Sequence, residues 1–487
     1  MVQEENPYKG NKKILFMTTF AFFLSFFVWF NMAPFASTIQ EALQLSKEEI
    51  GVILSINVAL TIPARIVIGM LVDRFGPKNV YTILLLVISI PCFWFAIADS
   101  FWQLFIARAF LSVVGAGFVV GIRMVSEWFP SKQLGLAEGV YGGWGNFGSA
   151  AAAFSLPLIA LLFGGENGWR YAIALTGVLC IIYSFFFYRS VENTPRGKVY
   201  QRPKQNGAME VTSYKSMVGL MLMSIPLYAA LALITWQLSS TSIVSNTVAT
   251  VIYLILTISY LYNLYKIWSV NRDHLKAGVP KDDQYSFRQV AILDFAYFIT
   301  FGSELAVISM LPMFFESTFS LSIAEAGMIA SSFAFMNLIA RPGGGWLSDK
   351  FGRKKTLIIL LSCLSVAYLG MSQIASGWPI IMALLLTMTC SFFVQAGEGA
   401  VFSMVPLVKK RLTGQVAGMV GAYGNVGAVL FLAVLSLLNP SLFFICIAIA
   451  SSLCFLACFF LKEPNQSHAV SNKTGESEEQ TEKEVAI

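Results

Sequence analysis

Two arginines stand where a hydrophobic chain least tolerates charge. Arg65 and Arg341 each lie inside a long apolar block, eight residues ahead of an aspartate, Asp73 or Asp349, near the block's end. As helices, those blocks would hold each arginine about 12 Å from that end. An intramembrane arginine costs at least a few kcal/mol and marks a functional site by default. Its guanidinium is permanently charged and offers a planar fork of N–H donors, suited to a planar oxyanion. The plainer alternative is a structural ion pair with a carboxylate on another helix. Two arginines at equivalent places in the chain favour anion binding.

Five carboxylates share these surroundings: Glu127, Glu138, Asp294, Glu304 and Glu398. Such groups can carry protons. Asp294 stands near the start of its block and reads as interfacial. Glu127 follows Arg123 by four residues, which suggests a local ion pair, and Arg108 also reads as structural. Glu304 and Glu398 lie deeper and are the proton-coupling candidates. His274 and His468 fall outside the blocks, so no imidazole switch is expected within the membrane.

Gly135-x3-Gly139-x2-Gly142-x2-Gly145-Asn146-x-Gly148 recurs late in the chain as Gly414-x3-Gly418-x2-Gly421-x2-Gly424-Asn425-x-Gly427. Glycines at this spacing let a second helix or a small ligand approach the backbone. Asn146 and Asn425 could donate to an anion without adding counter-charge, or bridge two helices; both readings stay open. Tyr297 and Phe301 share a helical face and could flank a flat anion.

The elements that position these groups are membrane spans. The 487 residues are 56% hydrophobic and only 12% charged, and mean hydropathy is +0.68. Soluble chains carry about twice that charge, which argues against a soluble enzyme, a disordered chain or a nucleic-acid binder. Fourteen spans are expected, at 14–38, 51–72, 79–99, 101–129, 133–163, 169–189, 213–235, 246–269, 288–315, 321–347, 355–376, 379–407, 412–437 and 440–461. The net charge of +6 sits mostly in alternate loops, such as the cluster Lys350, Arg353, Lys354 and Lys355 and the run Lys409, Lys410 and Arg411. The positive-inside rule then places both termini in the cytoplasm. The seven cysteines have no CxxC spacing and all lie in apolar blocks, so neither disulfides nor a metal site is expected. No phosphate-binding loop is present, and no cofactor is expected.

The chain repeats itself. Arg65-x3-Gly69-x-Leu71-x-Asp73-Arg74-x-Gly76 matches Arg341-x3-Gly345-x-Leu347-x-Asp349-Lys350-x-Gly352 at one constant offset. The loop residues Asp73, Arg74, Asp349 and Lys350 are candidates for a gate. Two six-span halves with two inserted spans follow, an all-α polytopic layout. The expected division is a cytoplasmic tail at 1–13, halves at 14–190 and 288–462, linkers with the inserted helices at 191–287, and an acidic, disordered tail at 463–487.

Two parallel halves and a duplicated Gly-x-Leu-x-Asp-Arg/Lys-x-Gly loop resemble the major facilitator superfamily. Gly139-Val-Tyr-Gly-Gly-Trp-Gly-Asn-Phe-Gly148 resembles the nitrate signature of its nitrate/nitrite porter family. Gly421-Ala-Tyr-Gly-Asn-Val-Gly-Ala-Val429 resembles the second signature. Ala396-Gly-Glu-Gly-Ala400 and Tyr297-Phe-Ile-Thr-Phe-Gly-Ser303 extend the likeness over the twelve core spans. It implies substrate roles for Arg65, Arg341, Tyr297, Phe301, Asn146 and Asn425, with Gly145 and Gly424 beside them. The expected function is nitrate and/or nitrite transport by alternating access in the inner membrane, as a monomer in the bilayer. Two fixed cations facing one monoanion leave a charge uncompensated, which a second anion could fill in exchange. Glu304 and Glu398 tilt the expectation to proton-coupled uptake. Family members commonly have twelve spans, so the inserted pair is a departure. The rivals are a small-carboxylate exchanger of the oxalate/formate type and a membrane sensor, the latter disfavoured by the lack of a sizeable soluble output domain.

Overall fold

The computed structural model describes residues 10–205 and 207–464. Most of the acidic tail and the first nine residues therefore lie outside the described residues. The described chain is a bundle of long helices. We number the membrane helices α1 (Lys12–Leu43), α2 (Lys47–Phe75), α3 (Pro77–Ile97), α4 (Phe101–Trp128), α5 (Ser131–Phe163), α6 (Gly168–Ser190), α7 (Tyr214–Ser240) and α8 (Asn246–Ala277). They continue as α9 (Phe287–Phe319), α10 (Ile323–Phe335 with Asn337–Phe351), α11 (Arg353–Met371), α12 (Ile380–Val408), α13 (Lys410–Leu435) and α14 (Pro440–Cys458).

Thirteen of these are long and apolar enough to cross a membrane. The other is α10, which breaks at Met336 into two shorter pieces. Pro342 cannot donate to the carbonyl one turn back, and Gly343–Gly345 dilute its apolar character. The two pieces together cover the span expected at 321–347. Breaks of the same kind interrupt α1 at Ala33–Phe35 and α4 at Ser112–Ala116, both as 3-10 turns.

Local signals set the helix ends. Ser46 and Glu49 form a reciprocal capping box at the start of α2, and Ser322 and Glu325 do the same for α10. Gly76 and Gly352 end α2 and α10 at φ of +84° and +97°, a conformation that suits glycine. These two glycines are the matched final positions of the loop repeat.

The glycine stripes form the seams between the halves. α5 packs along α10, and α13 packs along α2. A Cβ on Gly139 would lie 2.5 Å from the Arg341 carbonyl oxygen, and one on Gly418 would lie 2.5 Å from that of Arg65. The backbones touch where any side chain would separate them. Gly139→Val and Gly418→Val should each force their seam apart. The expected cost is about 1–3 kcal/mol, read as a lower melting temperature of the purified protein.

The inserted pair lies outside this core. α7 leans on both α2 and α13, and the Tyr423 hydroxyl donates to the Met223 carbonyl at 2.6 Å. α8 buries little beyond Ala249, Ile267 and Asn271.

Candidate anion site

Arg65 and Arg341 meet in the middle of the bundle, each about 1% exposed. Both guanidiniums lie over the ring of Phe118, at 5.6 Å and 5.2 Å from its centroid. A cation over an aromatic face is attracted by the ring quadrupole. Phe118 follows the 3-10 break in α4, where Gly115 and Gly117 admit neighbouring helices. Its ring is parallel to that of Tyr297, with centroids 6.3 Å apart, and Tyr297 stacks on Phe301 at 5.1 Å. Phe402 meets both Phe118 and Tyr297 edge-on. Phe118 and Phe402 were not singled out from the sequence. At the position of the second half that matches Phe118 stands Val394, so the duplication does not mark it.

The two arginines differ in their partners. Arg65 donates to main-chain carbonyls, Nη1 to Gly421 at 2.5 Å and Nε to Gly115 at 3.4 Å, and packs on Phe301 at 5.2 Å. Arg341 faces a carboxylate, with Nη1 2.5 Å from Glu398 Oε2, and its Nη2 donates to the Tyr297 hydroxyl at 3.0 Å. The plainer alternative, an ion pair with a carboxylate on another helix, is present at Arg341, while Arg65 has no such pair among the described residues. With Glu398 ionised, the trio of Arg65, Arg341 and Glu398 carries one net positive charge, and with it protonated the trio carries two.

Asn425 is fully buried, and neither its Oδ1 nor its Nδ2 has a hydrogen-bond partner among the described residues. Asn146 Oδ1 is likewise unpartnered among them. Gly424 makes room for aromatic rings: a Cβ there would sit 2.6 Å from Tyr297 and 2.8 Å from Phe301. Gly145 does the same for Phe22. These two glycines shape the walls around the site. Glu304 lies deeper, its Oε1 accepting from Asn337 at 2.5 Å and from Gln395 at 3.4 Å.

Asp294 stands near the start of its helix, as expected, but it is fully buried, with both oxygens unpartnered among the described residues. Its helix begins two turns earlier, at Phe287, and α13 and α7 cover that end of the bundle. Arg108 is structural as expected, donating to Asn31 at 3.1 Å and to the Trp29 carbonyl at 2.5 Å.

The duplicated aspartates close the basic end of each seam. Asp73 accepts from the main-chain N–H groups of Gly414 and Gln415 at 2.8 Å and 2.9 Å. Asp349 accepts from those of Gly135 and Leu136 at 3.0 Å and 2.9 Å. Asp73 thus caps the first turn of the regular helix that begins at Thr413, and Asp349 sits against the second turn of α5, each near the positive end of a helix of the opposite half. Arg74 and Lys350 do not join them. Arg74 lies over Phe75, and Lys350 over Trp346 and Phe351. The partners are instead Arg123, 3.3 Å from Asp73, and Arg353, 2.7 Å from Asp349. Arg123 also meets Glu127 at 3.2 Å, the expected local pair.

The linker straps the first of these contacts. The Tyr200 hydroxyl accepts from Arg123 at 3.0 Å and donates to the Val72 carbonyl at 2.6 Å. Lys198 pairs with Glu127 at 3.1 Å. Further along, Arg411 pairs with Glu210 at 2.6 Å and also with Asp283. Lys204 beside Asp283, with Arg411 and Lys409 near, holds that carboxyl well below its usual range.

Comparison with known proteins identifies the family. The Major Facilitator Superfamily matches residues 18–271 and 293–484. The nitrate/nitrite transporter NrtP of Picosynechococcus sp. is 48% identical, covering 98% of each chain. The protein of the same name from Nostoc punctiforme is 47% identical over 100% of this chain and 99% of its own. The nitrite extrusion protein of Bacillus subtilis is 25% identical over 82% of this chain and 81% of its own. Among solved structures, the human organic anion transporter MFSD10 superposes with a TM-score of 0.63 at 14% identity, covering 93% of this chain and 100% of that one. The proton:xylose symporter XylE gives 0.60 at 15% identity, covering 93% and 96%. These two likenesses speak for the fold alone. The chain is a multi-pass membrane transporter of the major facilitator superfamily, and belongs to the same family as the nitrate/nitrite transporters of Picosynechococcus and Nostoc.

Proposed function

We propose that the chain moves nitrate and/or nitrite across the cytoplasmic membrane by alternating access, coupled to protons. One observation carries this reading: two buried guanidiniums from opposite halves share one aromatic ring, and the Asn425 amide and the Asn146 Oδ1 have no hydrogen-bond partner among the described residues. A planar monoanion would lie against the aromatic walls, its oxygens meeting Arg65, Arg341, Asn146 and Asn425. The relatives' names point to the same substrate. The basic end of the bundle is the cytoplasmic side in this proposal, with both termini there, and one chain is the working unit. The division into halves at 14–190 and 288–462 is part of it.

The coupling step follows from Glu398. Ionised, it holds Arg341. A proton entering from outside would neutralise it and free the guanidinium's N–H donors for the anion. Proton and anion then load together, and Glu304 is the neighbouring carboxyl that can pass the proton on. Loss of the proton to the cytoplasm restores the Glu398–Arg341 pair and weakens the anion's hold. The seams would open at Asp73 and Asp349 to release it.

The test is nitrate entry into proteoliposomes, empty or preloaded with nitrite, with and without an inward proton gradient. Gradient-driven entry into empty vesicles is expected. Entry only into nitrite-loaded vesicles, indifferent to the gradient, would replace coupling with anion exchange. No nitrate movement under either condition, while formate or oxalate crosses, would move the substrate to small carboxylates.

A further inference from the structure

The carboxylates are not shared evenly between the two arginines. Along the repeat, Glu398 has Ile122 as its counterpart in the first half, and Glu138 has Ala417 as its counterpart in the second. Arg65 contacts main-chain carbonyls and rings, whereas Arg341 has acids near it from both halves.

Glu398 on α12 belongs to Arg341's own half. Glu138 on α5 belongs to the other. It is 1% exposed, and neither of its oxygens has a hydrogen-bond partner among the described residues. Its position on α5 is fixed by its neighbours. Gly135, one turn before it, donates its N–H to Asp349 at 3.0 Å. Gly142, one turn after it, faces Arg341, whose Nε would lie 2.5 Å from a Cβ there. Residues three and four apart share a helix face. Glu138 therefore stands between the arginine of the site and the aspartate of the gate. The titratable groups facing it are Arg341 and Asp349 on α10 and Tyr141 on its own helix.

We propose that Glu138 is the proton-release group on the cytoplasmic side, and the alternative partner of Arg341 in the opposite half. This rests on the proton-coupled reading above. The Glu398 carboxyl gives up its proton and becomes a carboxylate paired with Arg341. Glu138, until then a carboxylate, takes that proton and passes it past Asp349 to cytoplasmic water. When Glu398 is protonated, Arg341 offers part of its N–H fork to the anion, and its Nε edge, which lies against α5 at Gly142, can turn toward ionised Glu138. That pair would tie the two halves along the α5–α10 seam and keep its cytoplasmic end shut until the proton moves on. A buried acid with no donor among the described residues can exchange its proton without first breaking a hydrogen bond.

The test uses the full chain in right-side-out and everted membrane vesicles, with pH varied on one side at a time. Nitrate flux of the wild type should respond to pH on both sides. Glu138→Gln should lose the response to cytoplasmic pH while keeping the external one. Its ratio of gradient-driven uptake to nitrate/nitrite exchange should fall about tenfold or more. Glu138→Asp should restore part of both. An unchanged cytoplasmic pH profile in Glu138→Gln would overturn the proposal. So would a uniform loss of uptake and exchange that Glu138→Asp does not relieve, which would make the residue structural. A wild type indifferent to pH on both sides would instead sink proton coupling itself, and the release role with it.

Discussion

Arg65→Lys is expected to reduce nitrate kcat/KM by about 30- to 1000-fold, from the loss of about 2–4 kcal/mol of charge-assisted hydrogen bonding to the anion. The fork of Arg65 is pre-set. One end is tied to the Gly421 and Gly115 carbonyls, and the plane rests on Phe118 and Phe301. These contacts aim the remaining N–H donors without spending charge on a carboxylate. A lysine keeps the charge but loses the plane, and it cannot satisfy two carbonyls and an anion together. The defect should be independent of pH, since the hydrogen bonds of Arg65 run to main-chain carbonyls, which do not titrate. Arg341→Lys should also impair transport, but with a changed pH profile, because Arg341 is the cation that Glu398 holds. Initial rates in proteoliposomes and nitrate titration of the purified protein measure both. A wild-type nitrate affinity in Arg65→Lys would remove that arginine from the site.

Much of this arrangement was legible in the residues. Hydropathy placed the spans, and the paired glycines and arginines exposed the duplication. Helix geometry brought Tyr297 and Phe301 to one face. What was missed has physical reasons. Arg74 and Lys350 follow their aspartates directly, and successive helix residues point about 100° apart. If the aspartate faces the seam, the next residue cannot. Arg353 lies four residues after Asp349, so helical spacing could have found it, although Gly352 divides the two helices. Arg123 reaches Asp73 from another helix, and Phe118 has no aromatic counterpart in the second half. Their roles depend on packing that a single repeat does not encode. The ion pair between Arg341 and Glu398 joins helices α10 and α12, and only the packed bundle brings it together. That pair changes the site's charge, and so changes the argument about coupling.

Glu398→Gln should separate binding from accumulation. The substitution keeps the shape of the protonated acid and fixes its charge at zero. For an anion held about 6 Å away, removing the negative charge would be worth about 3 kcal/mol at an effective dielectric near 20. Relaxation of Arg341 will absorb part of this, leaving an expected gain of about tenfold in nitrate affinity. The same substitution removes the carboxylate that, in the proposed cycle, draws Arg341 back before the next turn. Release should slow, and nitrate accumulation driven by a proton gradient should fall about a hundredfold or more, with a flat external pH profile. The wild type should instead show uptake rising as external pH falls, because in the proposed cycle protonation of Glu398 frees the guanidinium. Nitrate titration and gradient-driven uptake on the same preparation would measure the two effects together. If Glu398→Gln accumulates nitrate like the wild type, the ion pair is structural, and the proton must travel by way of Glu304 or not at all. If affinity falls with uptake, Glu398 is holding Arg341 in place for the anion, and the charge argument has the wrong sign.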